Sequence, residues 1–249
     1  MSVVSQPISP HVLDLTVRRV VIDAGHGGDN PGTSSATGVR EKDVTLDIAA
    51  RVQRLLAARG FDTVMTRVGD ETLSLQQRAA KANGHRGDVF VSIHLNWLQR
   101  PDGGGIETYY LGPSRGADLD AIAALENQQP GYSLSDMRAL LERIYTDARR
   151  DESRRLATLV QQSLVDTLPG SEPAAWDRGV KMAPFVVLSA TEMPAILAEV
   201  SCLSNEEQAE RLKTADERQK IAEALVSGIQ AFARKSRATA SERTGSDGR

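Results

Sequence analysis

Four side chains of this 249-residue chain fall where an α/β sheet places its chemistry: His26, Glu41, His94 and Glu199. Of four histidines, two close apolar runs, His26 after VVIDAG and His94 after DVFVSI. Paired as neighbouring parallel strands, those runs would carry both imidazoles to one carboxyl edge, where open α/β sheets bind ligands. Glu41 opens an amphipathic run just beyond the first strand's loop. The helix it starts must return across the sheet, so its amino end faces the same crevice. Two imidazoles and one carboxylate, with water completing a tetrahedron, are a usual catalytic zinc set. Glu199 ends the run AILAEV, and a carboxylate there is costly to bury unless it is paired or metal-linked. That makes it the candidate general base acting on a zinc-activated water.

Each of these residues has a plainer reading when taken singly. A histidine at a strand end is commonly a hydrogen-bonded loop residue. Glu41 alone fits a helix amino end, where the macrodipole favours acids. Glu199 could accept hydrogen bonds from the amides of 201–205. The conjunction carries more weight than any member, because His11 and His85 sit in polar surroundings and read as surface residues. Asn96, two residues past His94, is either a substrate contact or an ordinary turn residue. Cys202 is the single cysteine, so no disulfide forms within the chain; alternation puts it opposite Glu199, as a small buried hydrophobe.

The elements that must position these residues follow from pattern. Apolar runs predict strands at 19–23, 61–67, 89–95, 106–111, 185–188 and 195–200. Helical spacing predicts helices from Glu41 to Gly60, over 75–82 behind a Ser74 N-cap, over 152–168, and from Asp216 to about Lys235. Capping-box patterns stand at Ser204–Glu207 and Thr214–Glu217. Between Pro113 and about Asp151 the strand–helix rhythm breaks into two helical pieces, 117–126 and 133–149, read as a helical insertion. The fold class is therefore α/β, a mixed, largely parallel sheet of about six strands with helices on both faces, plus that insertion. The expected divisions are an amino-terminal arm at 1–18, a catalytic domain at 19–235 and a disordered tail at 236–249.

Composition narrows the function classes. A net charge of −3 gives no argument for nucleic acid or an anionic membrane surface. No run approaches the ~18 apolar residues of a membrane span. Residues 1–19 lack a basic segment followed by an apolar one, so no export leader is readable there. The loop AGHGG lacks the G-K-[ST] of a phosphate-binding loop and the G-x-G-x-x-G spacing.

The ordered segments AGHGGDNPG, REKDVTLDIAARV, DVFVSIHLN, IETYYL, DRGVKMAPFVVL and MPAILAEVSCLSN resemble the zinc-dependent N-acetylmuramoyl-L-alanine amidases of bacterial cell walls, the amidase_3 family. The likeness runs from about Val20 to Ala233. It implies one Zn2+ per chain on His26, Glu41 and His94, with Glu199 as catalytic acid/base. It implies hydrolysis of the amide joining the lactyl group of muramic acid to L-alanine of the peptidoglycan stem peptide, and a periplasmic or wall-associated location. Glycines 27, 28 and 103–105 are expected to let the glycan-linked peptide approach closely. Some cell-division members carry a helix over the zinc that places a glutamate on it until an activator protein releases it. Glu126 is the positional match, so the insertion at 113–151 is expected to be autoinhibitory, the alternative being an ordinary lid or packing hairpin with Glu126 solvated near a helix end. The competing readings are a zinc peptidase or amidase with another substrate, and a non-catalytic wall-binding module that has kept the fold.

Overall fold

The computed structural model describes residues 17–99, 103–113, 117–127, 147–168 and 176–246. Six strands form one sheet: β1 (Arg19–Ala24), β2 (Asp62–Met65), β3 (Val89–Asn96), β4 (Ile106–Leu111), β5 (Asp177–Ala183) and β6 (Ala195–Cys202). Their order is β2-β1-β3-β6-β4-β5. All neighbours are parallel except β4 and β6, which run antiparallel. The sheet is therefore mixed and largely parallel, as expected.

Seven helices are present among the described residues: α1 (Glu41–Ala57), α2 (Leu75–Gly84), α3 (Ala117–Glu126), α4 (Asp147–Thr167), α5 (Val186–Ser189), α6 (Glu206–Leu212) and α7 (Ala215–Ser246). Helices α1, α4 and α7 bury Val44, Ile48, Leu156, Leu164, Leu225 and Phe232 against one face of the sheet. Helices α2, α3 and α5 cover the other face with Leu75, Ala82, Ala123 and Val187. Burial on both faces is why β1, β3 and β6 read as near-continuous apolar runs.

Strand alternation then divides each run. On the α2/α3/α5 face, Val21, Phe90 and Leu197 join the apolar cluster. Farther along the same face, Asp23 is paired with Ser92 in register, and His94 with Glu199. Glu107 of β4 lies opposite Glu199 on the other side of β6. One face of the sheet thus changes from apolar to ionisable toward the carboxyl ends of its parallel strands.

Four expectations are corrected. Phe185–Leu188 is not a strand: Val186–Ser189 is a helical turn with Phe185 as N-cap. Its β-branched residues match a buried strand by composition, but Val186, Val187 and Leu188 are buried as a turn beneath the sheet. The strand there is β5, unassigned from sequence because its RGVK stretch is half-exposed at a sheet edge and offers no apolar run. The last helix continues through Ser246 rather than ending near Lys235. Its Ala, Arg, Ser and Glu residues extend an existing helix at one hydrogen bond per residue. Helix α6 is capped by Asn205, whose side chain accepts from the Gln208 amide, one residue later than the Ser204 box implied. Ser74 does cap α2, in a reciprocal box with Gln77. Most of the arm at 1–18 and of the expected helix at 133–149 lies outside the described residues; Asp147 to Arg149 belong to α4.

Candidate metal centre

His26 follows β1 in a left-handed backbone conformation, φ +57°. Its Nδ1 lies 3.1 Å from Asn30 Oδ1. A proton held there on Nδ1 leaves the Nε2 lone pair facing inward. Glu41, the first residue of α1, is fully buried. Its Oε2 accepts from the Thr33 amide at 2.9 Å and the Thr33 hydroxyl at 3.0 Å, and its Oε1 accepts from the Leu95 amide at 2.9 Å. His94 comes from β3 with Nδ1 turned to the same point. Glu126, the last residue of α3, completes the group.

His26 Nε2 is 3.2 Å from Glu41 Oε1 and 3.2 Å from Glu126 Oε2. His94 Nδ1 is 3.2 Å from Glu41 Oε1 and 3.0 Å from Glu126 Oε2. The two rings meet edge to face at 4.9 Å between centroids. One donor atom from each of the four residues lies within 4.8 Å of every other. The residues come from a loop, a helix start, a strand and a second helix, so only the fold brings them together.

The donor chemistry fits a divalent cation. His26 Nε2, His94 Nδ1 and Glu126 Oε2 are buried without a hydrogen-bond partner, as is Glu199 Oε2 beside them. Buried polar atoms are rarely left so. Two carboxylates and two neutral imidazoles carry −2, which one divalent ion balances. Protons show the same demand: burial lowers the His26 pKa, yet the charges of Glu41 and Glu126 carry it up to about 10. His94 is raised well above the usual imidazole value against its own burial by Glu126 and Glu41. Burial raises Glu199, His94 opposes the rise, and the charges of Glu126, Glu41 and Glu107 add to it, leaving its carboxyl well above the usual range.

Close packing fixes the ring positions. A Cβ on Gly25 would fall 2.6 Å from His94 Nε2 and Cε1, and one on Gly32 would fall 2.5 Å from Glu41 Oε2. Gly27 and Gly28 face Glu71, Arg67 and Thr72 of the loop after β2, and Gly104 faces Gln208. At these three positions the missing Cβ lets protein segments meet.

The Amidase_3 family, described as N-acetylmuramoyl-L-alanine amidase, matches residues 20–231. The chain belongs to the Amidase_3 family. It is 36% identical over 223 residues to N-acetylmuramoyl-L-alanine amidase AmiC of Neisseria meningitidis serogroup B, covering 86% of this chain and 52% of that protein. It is 33% identical over 219 residues to AmiA of Escherichia coli K12, covering 85% of this chain and 75% of that one. The chain thus spans about half of the first relative and three quarters of the second. Among solved structures, AmiC2 of Nostoc punctiforme superposes with a TM-score of 0.65 at 29% identity, over 87% of this chain and 97% of that one.

Beside this group stand further buried polar residues, of which Glu107, Arg67 and Arg78 carry no mark in the sequence. Asn96 is buried and its Nδ2 donates to Glu107 Oε1, so its side chain is engaged by protein. Glu107 further accepts from Arg178 Nε at 3.0 Å and from Lys181 Nζ. Burial raises the Glu107 pKa, and Lys181 and Arg178 more than offset that, holding it below the usual carboxylate value. Asp23, Arg67 and Arg78 form a second buried polar group under the His26 loop. The signal for it was an aspartate inside an apolar strand, which requires a partner.

Proposed function

We propose that the chain hydrolyses the amide between the lactyl group of N-acetylmuramic acid and L-alanine of the peptidoglycan stem peptide, using one Zn2+ held by His26, Glu41 and His94. The observation that carries this reading is the convergence of His26 Nε2 and His94 Nδ1, both buried without a hydrogen-bond partner, on the Glu41 carboxylate. Bound there, zinc would supply the positive charge that polarises an amide carbonyl and lowers the pKa of water. Glu199 holds and moves the proton. Its partnerless Oε2 takes a proton from the attacking water and returns it to the leaving alanine nitrogen as the C–N bond breaks. Burial raises the basicity of that carboxyl, which favours the first transfer. Asn96, fixed on Glu107, borders the strand end as a candidate substrate contact.

Glu126 supports a further element of the reading, that α3 closes the site. Glu126 would be a fourth protein ligand, taking the position that catalysis needs open. The insertion about 113–151 is then a regulatory segment of a catalytic domain at 19–235, released by an activator protein. Cell-wall remodelling or daughter-cell separation in the periplasm or wall is the setting this implies. Among the described residues no helix is long and apolar enough to cross a membrane.

The test is metal content together with peptide release from purified peptidoglycan, before and after chelation. One zinc per chain is expected, with release lost on chelation and restored by zinc. Release that persists without metal, or in Glu199→Gln, contradicts the mechanism.

A further inference from the structure

Beneath the metal-facing side of the His26 loop lies a buried pair of arginines that the proposed chemistry does not use. Arg67 and Arg78 are 1% and 3% exposed. Arg78 Nη1 donates to Asp23 Oδ1 at 2.8 Å and to the Ala24 carbonyl at 2.7 Å, and its Nη2 donates to the His26 carbonyl at 2.6 Å. Arg67 Nε donates to the Ala24 carbonyl at 3.0 Å, and its Nη2 to the carbonyls of Gly25 at 2.9 Å and Lys42 at 2.8 Å. All three carbonyls of Ala24-Gly25-His26 are therefore bound by guanidinium groups. Asp23 is itself fixed by Thr66 Oγ1 at 2.6 Å and Ser92 Oγ at 2.7 Å.

This arrangement has a direct geometric consequence. His26 holds a backbone conformation that side chains with a Cβ seldom adopt. Turning its carbonyl down onto Arg78 keeps the peptide in that orientation and leaves the imidazole pointing up into the cluster. Through Lys42, Arg67 also ties the loop carrying His26 to the helix turn carrying Glu41. We propose that Arg78, with Arg67, is a positioning residue for the metal centre, setting the placement of His26 relative to Glu41 through the loop carbonyls. The inference rests on the metal reading of the four-residue cluster.

Arg78→Lys tests it, because lysine keeps a charge for Asp23 but lacks the planar fork that reaches two carbonyls at once. The readouts are Zn2+ affinity by chelator competition and the visible absorption spectrum of the Co2+-loaded protein. A loss of about 10- to 100-fold in affinity is expected, the usual effect of removing an outer hydrogen bond at a metal site, with a changed Co2+ spectrum. Leu164→Ala, in the core of α4 on the opposite face, is the stability control and should melt lower with unaltered affinity. If Arg78→Lys does not fold, Thr66→Val carries the test by removing one donor to Asp23 at constant shape, and a several-fold loss is expected. Unaltered affinity and spectrum in the folded variant, or an equal loss in Leu164→Ala, overturns the positioning role. A wild-type chain that takes up neither Zn2+ nor Co2+ overturns the metal reading itself, which separates the two failures.

Discussion

Glu41 and Glu126 offer the same carboxylate to the same two imidazoles, yet they are held in opposite ways. Glu41 starts a 17-residue helix packed on the sheet, and three donors from Thr33 and Leu95 fix both of its oxygens. Glu126 ends a 10-residue helix, and its Oε2 has no hydrogen-bond donor among the described residues. Helix α3 is anchored on the fold by Ala123 in the apolar cluster and by its neighbour Asn127. Asn127 Nδ2 donates to the Pro184 carbonyl at 3.0 Å, and its Oδ1 accepts from the Val186 amide at 2.9 Å. On the proposed reading, the difference separates a ligand built into the framework from one delivered by a removable piece. It also gives α5 a purpose, since Asn127 supplies the cap that Phe185 lacks at the start of that turn.

The largest expected effect falls on the framework side. Glu41→Ala should remove stoichiometric zinc and all peptide release. It should also cost about 1–3 kcal/mol of stability, because the Thr33 and Leu95 amides lose their acceptor. Metal analysis and denaturant unfolding check both. A Glu41→Ala protein that keeps its metal would erase the contrast with Glu126.

On the other side the sign reverses. Glu126→Ala should raise basal peptide release several-fold with stability changed by less than about 0.5 kcal/mol. Asn127→Ala should move activity in the same direction by a smaller factor, since it loosens the helix without removing the ligand. Initial rates on purified peptidoglycan decide this. Unchanged rates in both variants would make α3 a packing element rather than a closure.

The smallest effect concerns the support beneath the site. Burial raises the Asp23 pKa, but Arg78, Thr66 and Ser92 together bring it below its ordinary value. A depressed carboxylate pKa contributes stability above the unfolded value of about 3.9, and that contribution is lost as pH falls through the folded value. Melting temperature should therefore fall below about pH 4 in the wild type. It should fall less steeply in Asp23→Asn, which starts lower at pH 7 because Arg78 is left unpaired. Parallel curves for the two proteins would show that the pair is not what acid breaks.

The cluster of His26, Glu41 and His94 was legible in sequence for a physical reason. A histidine or glutamate that closes an apolar strand, or starts a helix returning from one, is placed at a known sheet edge by topology alone. Adjacent parallel β1 and β3 carry His26 and His94 there as that argument required. The supporting residues were not legible in the same way. Arg67 in VMTRVGD and Arg78 in LQQRAAK look like ordinary surface charges, and only the tertiary fold turns them inward. β5 was missed because an edge strand need not be apolar, and Val186–Ser189 because a short buried turn and a buried strand share a composition. Glu126 was reached through likeness to relatives rather than through spacing, since nothing local to AALENQQPG points at a metal.

The proposed centre holds one metal ion among four protein ligands, three of them fixed and one removable. A crystal of the zinc-loaded chain, with an anomalous difference map at the zinc edge, tests it most directly. A single peak is expected within about 2.0–2.2 Å of His26 Nε2, Glu41 Oε1, His94 Nδ1 and Glu126 Oε2. A peak with the Glu126 carboxylate more than about 4 Å away would remove the closure, and no peak among these residues would contradict the metal centre itself.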